Sequence, residues 1–313
     1  SGFSGPHVRS VLMSPQRVSS PIVPVVLWMI GTLLSFSVMA VSVRQLSHKL
    51  VLMEILTIRN LSGVVILSSM ALLHPPLRRQ IHTGKISLHA LRNGVHFLAT
   101  YLWALSLTLL PMATVFALEF TAPAWVSLMA VLFLGERLTL PRIGAVVLGF
   151  IGVMVIIQPG VETFQMSTLV ILSAALCFSI SIVTQKMLTK SDTTYSILFI
   201  MNLLQLPLAL IGVYFSGSFF FIEKLALSDL LPVLGVCFVG LTGHMCLTNA
   251  FRAGDAIMVV PLDFLRIPLI AFVGYFLYGE PLEPLVFIGS AFIVTGILWT
   301  LVAERRHQLR HSE

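Results

Sequence analysis

The chain has 313 residues, of which 57% are hydrophobic and only 10% charged, and its mean hydropathy is +0.97. A soluble domain carries about 25% charge, so that class is excluded. The net charge of +6 would suit a nucleic-acid partner, but the basic residues lie in short loops between apolar runs, where membrane orientation accounts for them.

In chain order, residues 1–20 are polar with no apolar core of a secretory signal, and are expected to form a disordered tail. Apolar runs long enough to cross ~30 Å of hydrocarbon then predict ten spans, near 22–43, 51–73, 88–110, 112–134, 142–157, 167–188, 194–216, 230–250, 256–278 and 284–303. Residues 304–313 read as a basic C-terminal tail. No ten-residue alternating pattern of a β-barrel occurs, so the fold class expected is an all-α polytopic membrane protein. Cys177, Cys237 and Cys246 sit within apolar runs at no metal-like spacing, as small buried side chains do; no metal or cofactor is expected.

Lysine and arginine placement checks the count. With both termini on one side, fourteen of the 19 basic residues, including Arg78, Arg92, Arg137, Arg142, Lys186 and Arg252, fall on that side. Only Arg44, Lys49 and Lys224 fall on the other, while Arg59 and Arg266 lie within spans. That asymmetry predicts cytoplasmic termini, and a one-span error would scramble it. There is no Gly-x-x-x-x-Gly-Lys-Ser/Thr phosphate loop, so any uphill transport must draw on a gradient, solute exchange or a partner.

The chain also repeats itself. Leu118-Glu119-Phe120 returns 144 positions later as Leu262-Asp263-Phe264, Gly135-Glu136 as Gly279-Glu280, and Gly152 as Gly296. This divides the molecule into a first repeat, 21–160, and a second, 161–303. Five spans per repeat is an odd number, so the two copies insert upside down relative to each other, as alternating-access carriers are built.

Ionisable side chains in a span cost about 2.5–3.5 kcal/mol each on insertion scales, so each is a functional candidate. Glu119 is the sharpest: it lies midway along the fourth span between Phe116 and Phe120, with Pro123 one turn on, a proline that frees a backbone carbonyl. Asp263 and Arg266 are three apart and share a helix face; they either neutralise each other or bind a charged part of a solute. Glu54 lies near the outer end of the second span. Arg59, five residues on, is expected to pair with an acid on another helix, Glu119 or Asp263, so Glu54 and Arg59 read as coupling or structural ion-pair residues. His96 and His244 suit a hydrogen-bonded core or a proton relay. Gln185, Asn202, Gln205 and Asn249 can bond helices together or touch solute. Tyr101, Trp103, Trp125 and Tyr275 can stack on a flat substrate or anchor helices. Spans five and ten, carrying Gly144, Gly149, Gly152, Gly289 and Gly296 but no buried acid, are placed at the periphery, where they also offer a possible homodimer contact. The Gly-Glu corners read as helix ends whose glutamates serve as caps.

The stretches Leu110-Pro111-Met112-Ala113, Phe120-Thr121-Ala122-Pro123 and Leu134-Gly135-Glu136-Arg137-Leu138, with Pro261-Leu262-Asp263-Phe264 and Gly279-Glu280 in the second half, resemble the EamA-type modules of the drug/metabolite transporter superfamily. The likeness covers nearly all of residues 21–302. It implies ten helices in two inverted five-helix repeats in a bacterial inner membrane, with a cavity built from helices one, three, four, six, eight and nine. Members of that superfamily move amino acids, nucleotide-related metabolites and vitamins, and the acidic fourth and ninth helices resemble the subgroup that includes bacterial S-adenosylmethionine and riboflavin carriers. Carried onto this chain, the resemblance implies a substrate site of Glu119, Asp263 and Arg266 with the aromatics Phe116, Phe120 and Trp125, and places Arg252 and Asp255 at a cytoplasmic helix end. The second copy departs from the first in having Arg266-Ile267-Pro268 where the first has Ala122-Pro123-Ala124.

The expectation is therefore a secondary transporter for a small polar metabolite, zwitterionic or cationic, whose partners are that solute and membrane lipid. In it Glu119 and Asp263 attract the cationic part, Arg266 a carboxylate, and His96 and Tyr101 complete the site. A flat vitamin-like cargo such as riboflavin is the alternative within the class. A lipid-handling protein would need a polar groove open along its full length, whereas the charges here cluster near mid-span. An intramembrane enzyme would need a motif such as His-Glu-x-x-His, which is missing.

Overall fold

The computed structural model describes residues 22–110, 112–119, 121–158, 166–217, 220–279 and 284–312. Within them the chain forms ten helical rods and no strand; six helices are long and apolar enough to cross a membrane, and shorter apolar helices accompany them. The first repeat contains α1 (Ile22–Leu46), α2 (Leu52–Leu73) and α3 (Ile86–Leu109), with a short turn of helix, Pro75–Arg78, before α3. It continues with α4, made of Met112–Glu119 and Ala122–Met129 ending in a π-helical turn at Ala130–Leu134, and α5 (Leu140–Ile157). The second contains α6 (Met166–Leu188), α7 (Thr194–Ser216) and α8, which runs Leu230–Leu234, through a π-helical turn Gly235–Val239, to Gly240–Ala253. It closes with α9, Ala256–Leu262 and Arg266–Tyr278 joined by a 3₁₀ turn at Asp263–Leu265, and α10 (Pro284–Ser312).

Two expectations differ in detail. Spans four and nine are irregular beside their acids: Thr121, two residues past Glu119, lies in a turn before the helix resumes at Ala122, and the 3₁₀ turn of α9 begins at Asp263. The segment expected to be a basic tail after residue 303 continues as the last turns of α10. The tail over residues 1–20, the junction at 159–165, Phe120 and Glu280 lie outside the described residues.

Packing follows a twofold pattern. α3 lies along α6 and α1 along α8, which are the same contact with the repeats exchanged, while α2 pairs with its counterpart α7 and α5 with α10. In lipid, helices associate through close packing rather than hydrophobic burial, and α5–α10 uses that route. A methyl group at Gly152 would strike the Gly289 carbonyl, and one at Gly144 the ring of Trp299. These glycines serve a contact within the chain. The outward rim is apolar, with Phe215, Leu231 and Phe276 more than three-quarters exposed, as a lipid-facing surface must be.

Repeat symmetry extends to the helix ends. Gly135 and Gly279 close α4 and α9 in the left-handed region, at φ +67° and +63°, a conformation that only glycine adopts without a Cβ clash. Next to the first of them, Glu136 Oε1 accepts the backbone N–H of Ala256 at 3.0 Å and so caps α9. Lys186 donates to the carbonyls of Phe251 and Gly254 at the end of α8, and Arg142 pairs with Asp255 at 3.1 Å. Arg252 donates to the carbonyls of Thr189 and Asp192. The corner between α8 and α9 is thus knotted to both repeats at one end of the bundle.

Candidate functional site

A cavity of about 1200 Å³, its mouth included, lies at the centre of the bundle, walled by α1, α2, α3, α4, α6, α8 and α9. The family likeness had left out α2, which contributes Arg59, Leu56 and Leu52. Among the described residues, none of α5, α7 or α10 lines it.

One side of the cavity holds three charges from both repeats. Arg266 Nη1 donates to Glu119 Oε1 at 3.3 Å, and its Nη2 donates to Asp263 Oδ1 at 2.6 Å. α4 and α9 hold these acids close enough that a single guanidinium reaches both. Trp103 Nε1 donates to the other Glu119 oxygen at 2.8 Å, fixing the carboxylate's orientation. Phe36 and Phe116 cover the guanidinium, with ring centres 5.2 and 5.9 Å from Cζ, a cation–π arrangement. Arg266 is the most enclosed of the three and Asp263 the most open, at 6% and 24% side-chain exposure. With both acids ionised the cluster carries one net negative charge, and Asp263 presents it to the cavity.

This arrangement bears on the role expected of Arg266. Its two Nη groups are engaged by carboxylates of the chain, one from each repeat, although Arg266 also lines the cavity, so a solute carboxylate reaching it would compete with them.

Away from the cluster the cavity holds two imidazoles. His96 and His244 are 4.8 Å apart between ring centres, edge to face, and His244 touches Phe36 at 5.2 Å. Phe178 flanks His96 at 5.8 Å. Beyond them Arg59 lines the cavity, 4% exposed. It reaches neither Glu119 nor Asp263: its Nη2 donates to Gln205 Oε1 at 2.7 Å and to Asn60 Oδ1 at 3.3 Å. The expected pairing with an acid is replaced by amide acceptors, because α7 brings Gln205 against the face of α2 that carries Arg59. Arg92 also departs from expectation. Its charge suggests a surface loop, but α3 begins at Ile86 and Arg92 is 1% exposed, bonded to Asn93 and Gln185. Removing it from the loop count leaves the charge asymmetry intact.

Other candidates fall elsewhere. Glu54 is fully buried but accepts the Val51 N–H and the Lys224 ammonium, both at 2.8 Å; it caps α2 and ties it to the loop after α7. Phe116 is buried behind Arg266 rather than lining the cavity, Tyr101 packs beside Phe97 and Leu56 outside it, and Trp125 is 46% exposed on the outer surface. Trp125 lies six positions beyond Glu119, about a third of a turn round an ideal helix from it. The walls include aromatics that the sequence does not single out: Phe36, Phe178 and Phe251. In helices apolar on every side, no periodicity marks such residues as inward-facing.

Comparison with known proteins places this geometry in context. The model of the EamA-like transporter family matches residues 23–158 and, a second time, residues 165–302. An S-adenosylmethionine uptake transporter of Rickettsia felis is 24% identical over 286 residues, which cover 91% of this chain and 95% of that protein. A riboflavin transporter of Brucella anthropi is 30% identical over 227 residues, 71% of this chain and 79% of the relative. A solved structure superposes with a TM-score of 0.68 over 90% of this chain and 98% of its own, at 18% identity; that likeness concerns the fold alone.

Proposed function

Because the chain belongs to the EamA-like transporter family, and so is a membrane transporter of small molecules, we propose that its cargo is a small organic solute with a cationic centre, of the S-adenosylmethionine kind. The observation that carries this reading is the charge-unbalanced cluster: two carboxylates, one from each repeat, share the single guanidinium of Arg266. A cation entering the cavity completes the neutralisation at Asp263, in a setting of low dielectric where that attraction is strong. The cargo of the Rickettsia felis relative, by its name S-adenosylmethionine, has such a centre.

Alternating access follows from where the cluster sits. Glu119 belongs to the first repeat, while Asp263 and Arg266 belong to the second, so one of the hydrogen bonds that join the repeats borders the solute site. A cation that competes with Arg266 for the carboxylates loosens that bond, and loading is thereby coupled to the rocking of one repeat against the other. The basic-residue asymmetry orients both termini to the cytoplasm.

The experiment is uptake of labelled S-adenosylmethionine into proteoliposomes by wild-type protein, Glu119→Gln and Asp263→Asn. Both substitutions are expected to reduce initial rates about tenfold or more, as loss of a charged contact does. Wild-type rates in both variants would remove the carboxylates from the mechanism. A flat aromatic cargo is the second reading, favoured by Phe36, Trp103, Phe178 and Phe251 on the walls; riboflavin binding would show as quenching of flavin fluorescence by the purified protein.

A further inference from the structure

Among the described residues, Arg59 and Arg92 are buried cations without a counter-charge. They are 4% and 1% exposed, in helices that cross the membrane. A buried charge is normally paired, since its desolvation costs several kcal/mol. Arg266 meets this condition twice over. Arg59 and Arg92 instead bond to neutral amide oxygens: Arg59 to Gln205 and Asn60, and Arg92 to Asn93 at 2.7 Å and Gln185 at 2.9 Å. Gln205 donates in turn to Asn93 at 3.2 Å, joining the two arginines in one network. The Nε–H of each guanidinium is buried with no partner among the described residues. The network these residues form holds two positive charges, spare donors and no carboxylate.

Its position gives that excess a use. Arg59 and Gln185 line the same cavity as Glu119 and Asp263, and Arg92 stands one layer behind them. Phe36 touches both Arg266 and His244, and His244 in turn meets His96. The cavity is therefore bipolar, with a surplus negative charge beside Arg266 and surplus positive charge at Arg59. We propose that the Arg59 end is a carboxylate subsite, which receives the anionic group of a zwitterionic solute while its cationic centre faces Glu119 and Asp263. The anionic half of this assignment stands on the Arg59 network alone; the pairing with a cationic centre rests on the cargo reading above. A planar guanidinium with spare N–H donors suits a carboxylate, whereas the Nη groups of Arg266 already have two carboxylates as partners.

Two arms test it. In the first, thermal unfolding of detergent-purified protein is followed in sodium acetate against sodium chloride at equal ionic strength. Acetate is expected to raise the melting temperature of wild-type protein by several degrees, as a ligand of the native state does, and to leave Arg59→Gln unchanged. Gln205→Glu, nearly isosteric, puts a carboxylate 2.7 Å from the guanidinium; it should melt above wild type in chloride and gain nothing from acetate. No protection of wild type, or equal protection of Arg59→Gln, overturns the subsite. If Arg59→Gln does not fold, Gln205→Glu decides, and acetate protection as large as in wild type overturns it.

The second arm compares binding of S-adenosylmethionine with its decarboxylated form. Wild-type protein is expected to prefer the carboxylate form about tenfold or more, and Arg59→Gln to bind both alike. A preference that survives in Arg59→Gln overturns the subsite. Acetate protection confined to wild type, with neither adenosyl compound bound, keeps the subsite and rejects the cargo reading.

Discussion

Arg266 reaches across 147 residues of chain to donate to Glu119 at 3.3 Å, while also donating to Asp263 one turn earlier on its own helix. The two acids are repeat equivalents, 144 positions apart, but the arginine has an alanine as its counterpart, Ala122. Duplication alone would have placed two carboxylates against each other at the centre of the bundle. The arginine makes that juxtaposition tolerable in a membrane and leaves one negative charge in surplus.

Removing the cation should therefore harm more than removing either acid. Arg266→Gln leaves two partly buried carboxylates facing one another, and breaking a fully buried pair by deleting one partner costs about 3–5 kcal/mol, an upper bound here. The variant is expected to melt well below wild type. Adding Asp263→Asn to it should recover part of the loss, because the repulsion goes with the charge. A double variant no more stable than Arg266→Gln would show that the carboxylates do not repel.

Trp103 and Trp125 separate a site role from a lipid-facing one. Trp103 donates to Glu119 from inside the cavity, whereas Trp125 is nearly half exposed on the rim. A hydrogen bond to a charged group contributes about 1.5–3 kcal/mol, so Trp103→Phe should lower S-adenosylmethionine uptake about tenfold or more. Trp125→Phe should stay within about twofold, since it disturbs no bond of the site. Equal effects in reconstituted vesicles would contradict this placement.

The legible part of the fold is the part written in hydropathy and repetition. Ten rods, the glycine stops at 135 and 279 and the matched acids 119 and 263 all follow from the spacing of residue types. The partners of the cavity's charges do not. Arg92 lies only six residues into α3, where hydropathy cannot separate a helix end from a loop, so its burial leaves no trace in the sequence. Charge matching favours an acid for Arg59, but the register of α2 on α7 supplies Gln205 instead. Phe36 and Phe178 are equally hidden, because an inward phenylalanine and a lipid-facing one look alike in such helices.

The α5–α10 contact yields a prediction that does not involve the solute. A methyl at position 152 would run into the backbone of Gly289 and the side chain of Ile293, and overpacking costs about 1–3 kcal/mol. Gly152→Ala should lower the melting temperature accordingly. At Gly94, on α3, an added methyl would meet nothing within 4 Å, so Gly94→Ala should lie within about 0.5 kcal/mol of wild type. Similar losses for both in thermal unfolding would mean that the close approach of α5 and α10 is not what holds them.

Acid stability gives a last test, at the loop between α6 and α7. Asp192 is 6% exposed and accepts from His89 Nε2 at 2.7 Å. Burial on its own would push its carboxyl up, but hydrogen bonds from His89, Thr83 and Ser191 bring it below the usual carboxylate range. The folded protein thus binds this proton less readily than the unfolded chain, and stability must fall with pH. The contribution is complete above the unfolded value of about 3.9 and disappears as pH drops through the lower folded value. Asp192→Asn should melt below wild type near neutrality, with the gap narrowing below about pH 4. Melting curves that stay parallel from neutrality into that acid range would show that the Asp192 carboxylate, charged or not, contributes nothing to holding α3 against the loop.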